Sequence, residues 1–256
     1  MPKSSRLTAL FAAVLLSACG GDALVVPRSD VRVDLAQVFR ELSVPGIQGA
    51  MAAAGGVPIP ATSSGPSGCN YAAATQMFVC PSVTSAGITI TQSYSVLNAA
   101  GGTLSLFDAA TVAAVRVRST VSGAQALPTG ETITVDGQQD QTLSGLLTST
   151  HLLNGTSTMN LSGTLKSGLL PGAFTSRNTT TMLNLAVPSG TGASTYPASG
   201  TMTMDMVSTF AGAPSVTSQS VMKFNGTSKV TVTITINGMG LLACTIDLAA
   251  SAPACS

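Results

Sequence analysis

The chain has 256 residues, of which 45% are hydrophobic and only 8% charged, so it is too apolar to be a disordered polypeptide and long enough for one large all-β domain or two small ones. Eleven Lys and Arg stand against 10 Asp and Glu, so no basic field exists to attract nucleic acid. The chain opens on Lys3 and Arg6, followed by an apolar run from Leu7 to Leu16. That run is too short to span a bilayer as a permanent helix, and a positive start, an apolar core and then small residues is the order of a secretory signal. Residues 1–18 therefore read as a signal peptide.

Leu16-Ser17-Ala18-Cys19 closes the run. This tetrapeptide resembles the lipobox of bacterial lipoproteins. The resemblance implies lipid on the sulfur of Cys19, cleavage before Cys19, acylation of the new amino terminus and attachment to a membrane of the bacterial cell envelope. Gly20 follows the cysteine where an inner-membrane retention signal would place Asp. By resemblance to the sorting rule of enteric lipoproteins, this implies the outer membrane. Each buried methylene contributes about 0.8 kcal/mol, so two or three acyl chains hold tightly where one would exchange. With Lys3 and Arg6 removed, 9 Lys and Arg face 10 acidic residues, and no polybasic stretch flanks the anchor.

Residues 19–29 read as the lipidated cysteine and a tether, flexible at Gly20 and Gly21. Residues 30–54 read as one or two short helices. Asp30 can cap the first, Val31, Leu35, Val38, Phe39 and Leu42 share one face, and Pro45 stops it. The second covers Ile47 to Ala54. An isolated helix of this length is marginal in water, so the apolar stripe is expected to pack on the following domain. Residues 55–68, rich in Gly and Pro, read as a linker.

From Cys69 to the end, residues 69–256, the period is two. Ile88, Ile90, Tyr94 and Val96 alternate with Thr89, Thr91, Ser93 and Ser95; Val115, Val117 and Val121 alternate with Arg116, Arg118 and Thr120. Met159, Leu161 and Leu165 follow, then Leu183, Leu185 and Val187, then Met202, Met204 and Met206, and last Val230, Val232, Ile234 and Ile236. Alternation means one buried and one wet face, and the wet face is rich in threonine, which suits an exposed pleated surface. Asp136-Gly137, Asn154-Gly155, Asn225-Gly226 and Asn237-Gly238 are hairpin dipeptides. The pattern predicts a mainly β, antiparallel meander of about ten strands, closing into a barrel or a strongly curved half-barrel, with a β-sandwich as the alternative.

Four cysteines follow the lipobox. An exported chain meets an oxidising compartment, and four cysteines allow three connectivities. We expect Cys69–Cys80 and Cys244–Cys255, because both separations are 11 residues, and an odd separation is what facing residues have in a hairpin with an even loop. Zinc fails on spacing, since no Cys-x-x-Cys occurs.

The catalytic inventory is poor. His151 is the only histidine, no Gly-x-Ser-x-Gly accompanies it, and no phosphate loop, dinucleotide motif or calcium loop is present. No catalytic residue, metal or cofactor is assigned, and an enzyme is the least favoured class. The methionines hint at a ligand, because Met is flexible and polarisable: Met159, Met202, Met204 and Met206 are the candidate apolar ligand surface, against the plainer role of core filling. Two functions follow. One is a lipid-anchored envelope binding module holding an apolar or lipid-like molecule in a curved β domain; in architecture alone it resembles the lipoprotein-carrier (Lol) half-barrels. The other is a non-enzymatic structural or surface-interaction lipoprotein with a packed core, contacting an envelope protein.

Overall fold

The computed structural model describes residues 68–85, 87–126, 131–165, 172–188 and 196–248. The expected signal peptide, Cys19, tether, helical segment, linker (Gly68 aside) and Cys255 lie outside them. The described residues form one antiparallel sheet of thirteen strands. These are β1 (Asn70–Ala72), β2 (Met77–Val79), β3 (Val83–Ser85), β4 (Ile88–Leu97), β5 (Thr103–Leu104), β6 (Ala114–Ala126) and β7 (Thr132–Ser144), then β8 (Thr150–Leu165), β9 (Gly172–Pro188), β10 (Ser199–Phe210), β11 (Val216–Lys223), β12 (Lys229–Ile236) and β13 (Met239–Asp247). The ladder runs β1-β2-β4-β6 and then in sequence order to β13, with β3 and β5 each pairing β4 off the path.

The meander is therefore as expected, but the sheet is open: β1 and β13 stand at opposite ends of the ladder, so the closed barrel is not formed. The two-sheet sandwich is not formed either, because a single ladder carries every strand. A three-residue β1 cannot offer a closing partner to the nine-residue β13. The strand count exceeds ten because the first hairpin and two short flaps on β4 carry too little alternation to be recognised.

That first hairpin is stapled. Asn70 pairs with Val79, Tyr71 with Phe78 and Ala72 with Met77, and one step further out Cys69 and Cys80 are disulfide-bonded, with Cα atoms 4.0 Å apart. The loop between the strands has four residues, so the odd separation reports a facing pair. Cys69, Tyr71 and Cys80 pack against the cluster of Phe78, Tyr94, Val96, Phe107, Val112, Val115 and Val117. Closing this loop contributes about 3 kcal/mol in the chain-entropy model. Reduction, or Cys69→Ser with Cys80→Ser, is expected to lower the thermal midpoint by roughly 6–12 °C, at 2–4 °C per kcal/mol for a domain of this size. Calorimetry with and without reductant checks it, using the double variant to separate this bond from the one at Cys244.

Register fixes the faces. Through β4, β6, β7 and β8, the even positions of β4 lie level with the odd positions of the other three: Val96 opposes Val115, Val115 opposes Leu143, and Leu143 opposes Leu153. Leu153 then opposes Leu185 of β9. This inner face holds the core, with Val115, Leu153 and Leu185 each 0% exposed. The expected grouping of Leu183 with Leu185 fails, since Leu183 is 58% exposed. The cause is a bulge at Asn184. Leu153 and Gly155 of β8 oppose Leu185 and Met182, and Ser199 and Thr201 of β10 oppose Ala186 and Leu183, so β9 carries one residue more than either neighbour. Asn184 takes a positive φ of 51° and donates its backbone N–H to Asn154 Oδ1 at 2.7 Å. One extra residue reverses the phase of everything after it.

Two of the four hairpin dipeptides turn the chain. Asn237 and Gly238 join β12 to β13 with φ of 49° and 68°, and Gly226 lies in the β11–β12 connection with φ 83°. Asp136-Gly137 and Asn154-Gly155 lie instead inside β7 and β8. Their glycines answer to close neighbours. A Cβ on Gly137 would stand 3.0 Å from Val121 Cγ1 and 3.2 Å from Met159 Sδ, and one on Gly155 would stand 2.6 Å from Gln141 Cα.

Candidate functional site

The sheet offers two surfaces. On the inner face, Met202, Met204 and Met206 occupy successive inward positions of β10 and are 1%, 5% and 8% exposed. Met202 stands between Met182 of β9 and Met222 of β11 in one row. These three and Met204 belong to the main cluster with Leu143, Leu153, Leu185, Phe224, Val230, Val232, Ile234, Cys244 and Ile246. Met159 is half-buried at the margin of a separate cluster of Ile88, Val121 and Val135. Cys244 is also disulfide-bonded. His151 lies in β8, half-buried, in register with Val187.

Buried polar groups stand among the methionines: Thr180 and Ser220 oppose Met204, Ser218 opposes Met206, and Gln141 lies at the β7 end of the Met182–Met202–Met222 row. Gln141 of β7 is 2% exposed and lies across Gly155, donating Nε2–H to Met182 Sδ at 3.7 Å. Its Oε1 is buried with no hydrogen-bond partner. An unmet buried acceptor costs about 1–3 kcal/mol, whereas an apolar group of similar shape costs nothing on this score. Gln141→Met is therefore expected to raise stability by about 1–2 kcal/mol, a rise of several degrees in the thermal midpoint. Thermal unfolding followed by circular dichroism checks the sign, and a comparable loss of stability would mean that the amide carries a bond to something bound.

The outer face is hydroxyl-rich and holds the charged side chains of the long strands. Register places Arg118 beside Asp140, with Arg116 two positions away on the same face. Asp140 accepts from Arg116 Nε at 2.6 Å and from Arg118 Nε at 3.1 Å. The hydrogen bond from Arg116 is the main cause that holds the Asp140 carboxyl below the usual carboxylate range; partial burial opposes it, and Arg118 assists. A depressed folded pKa gives stability that is present above the unfolded carboxylate value, about 3.9, and is lost as pH falls through the lower folded value. The group is 36% exposed, so solvent screening keeps the contribution within about 1 kcal/mol. Asp140→Asn is expected to destabilise by that amount at neutral pH and to converge on the parent as pH falls below the unfolded carboxylate value, about 3.9, and through the lower folded one, in acid titrations of stability.

Beyond this trio, the outer face of β6 to β9 sinks into an open depression of about 470 Å³. Thr120 and Ser122 line it from β6, Asp136 and Gln138 from β7, Thr158 and Asn160 from β8, and Arg177 from β9. Val121 and Gly137, whose side-chain positions face inward, complete the lining. The right-handed twist of a long sheet makes each face concave along one diagonal, which is enough to form such a groove without a lid. Asn160 Nδ2 approaches Asp136 Oδ1 at 3.5 Å, and Arg177 makes no ion pair among the described residues. The sequence alone missed this groove. Its residues come from four strands, and its polar members enter the sequence reading only as Thr120 on a wet strand face and Asp136 in a hairpin dipeptide. The signal that could have found it is the set of planar polar side chains at outward positions of strands that turn out to be neighbours.

Among the described residues no group of three or more His, Cys, Asp or Glu gathers to hold a metal. No family model, curated protein or solved structure matches this chain.

Proposed function

We propose that this chain is a non-enzymatic, lipid-anchored surface-interaction module of the bacterial cell envelope, tethered at Cys19 to the outer membrane. In this reading the sheet curves into a half-barrel around a packed core and works by contact through its outer face. The observation that carries it is the division of the two faces. The β10 methionines are buried on the inner face, Met202 and Met204 within a cluster of Leu, Val and Ile, and Met204 and Met206 also beside the buried hydroxyls of Thr180, Ser218 and Ser220, whereas the groove on the outer face is polar and open. Arg116, Arg118, Asp136, Arg177 and Lys229 make the outer face unsuited to lipid, where a midplane cation costs about 2–4 kcal/mol. Contact with an envelope component, in water, suits it better.

Photo-crosslinkers placed at Thr158 and Thr203, both outward positions, should give discrete adducts in cells, while the same groups at buried positions should not. Absence of any adduct from the outer face overturns the reading. The alternative, an apolar molecule held against Met159, Met202, Met204 and Met206, has one observation in its favour: the unmet Gln141 acceptor beside Met182 would suit a hydroxyl or acid headgroup. Solvent extraction of natively purified protein followed by mass spectrometry decides between them. A stoichiometric apolar molecule favours the alternative, and a clean extract favours the contact module.

A further inference from the structure

We propose that the groove over β6 to β9 binds an acidic oligosaccharide, with its carboxylate on Arg177 and its hydroxyls on Asp136, Asn160 and Gln138. The proposal rests on the outer face being the working face. Register sets Ser122 opposite Asp136, Asp136 opposite Asn160 and Asn160 opposite Arg177. A hydroxyl, a carboxylate, an amide and a guanidinium thus stand in one row across four strands, roughly 14 Å at about 4.8 Å per step. A second row, with Gln138 between Thr120 and Thr158, runs beside it. An apolar ligand would strip water from these groups without replacing its hydrogen bonds, at a net cost. β7 and β8 are both paired on each side, so the groove has no free strand edge to which a peptide could add. A ligand dense in hydroxyls, each both donor and acceptor at short intervals, matches the rows.

Charge adds the acid. Asp140 is already engaged by Arg116 and Arg118, whereas Asp136 receives only the long contact from Asn160. Arg177 is two strands from Asp136, roughly 10 Å, about one Debye length at 0.1 M salt, so the carboxylate does little to neutralise it. In a chain with so few charges, an uncommitted guanidinium in a polar groove presents the planar fork that a carboxylate accepts in bidentate fashion.

The full-length protein in detergent micelles can be tested by saturation-transfer NMR with trigalacturonate and with neutral maltotriose. Transfer to trigalacturonate is expected, weakening about tenfold in Arg177→Gln and severalfold in Asn160→Ala, and falling when salt is raised to about 0.5 M. Lys229→Gln, on the outer face of distant β12, should leave it unchanged. No transfer at about 10 mM trigalacturonate, equal transfer to maltotriose, or indifference to Arg177→Gln would each overturn the proposal. Cellular crosslinks from Thr158 and Thr203 that persist unchanged in Arg177→Gln would uphold the contact module while also overturning this ligand.

Discussion

Leu153→Ala is expected to destabilise the protein by about 3–4 kcal/mol, lowering the thermal midpoint by roughly 6–15 °C. Leu153 is fully buried at the level where β7, β8 and β9 set Leu143, Leu153 and Leu185 side by side. Truncation leaves a cavity walled by two leucines that are themselves fixed on paired strands, so the site can collapse little. The loss then approaches the upper part of the range for buried Leu→Ala changes, about 2–5 kcal/mol. Leu185→Ala should cost a similar amount, and the double variant should depart from the sum by about 0.5 kcal/mol or more, because the two residues share one void. Denaturant unfolding at unchanged slope measures all three. An additive double variant would mean that the leucines do not share a packing site.

The architecture was legible where alternation was strict. Val230 to Ile236 and Met202 to Met206 each became a strand with the expected inward set, buried except for Ile236, which is half-buried at a register shift, because a period of two with one apolar face has few other stable fates. The stapled hairpin was legible too, because an odd cysteine separation carries register information that hydrophobicity does not. What was lost depended on neighbours. Asn184 looks like any polar strand residue, yet its extra place in β9 decides that Leu183 is wet and Leu185 dry. The glycines of Asp136-Gly137 and Asn154-Gly155 looked like turn formers, but their role is to admit Val121, Met159 and Gln141 across the pleat. No local pattern distinguishes a glycine that bends the chain from one that makes room beside it.

The groove was hidden for the same reason. Asp136, Asn160 and Arg177 are far apart along the chain, and only the pairing of β7 with β8 and of β8 with β9 sets them in a row. The methionines were visible because they recur within one strand. Their pattern is compatible with a ligand surface or a core, and it is burial, fixed by the rest of the sheet, that weighs toward the core.

Gly200→Ala is the substitution expected to show how much the bulge matters. Gly200 has φ 111°, a region closed to residues with a Cβ, and sits at the register shift opposite Asn184. A Cβ there would collide with the Asn184 carbonyl oxygen and lie 2.7 Å from Leu185 Cα. Both neighbours are backbone of a strand paired on each side, so neither can yield as a side-chain tip would. The conformational penalty alone is about 1–3 kcal/mol, and the clash adds to it by pushing at the bulge that keeps Leu185 buried. We expect a loss of at least about 3 kcal/mol, or failure to fold. Gly212→Ala is the control: its φ is also positive, 75°, but nothing lies within 4 Å of the added atom. It should cost only the conformational part, so the difference between the two variants in urea unfolding isolates the steric contribution. Equal losses would mean that β9 shifts freely at Asn184, and Leu185→Ala in the Gly200→Ala background would then cost much less than it does in the parent.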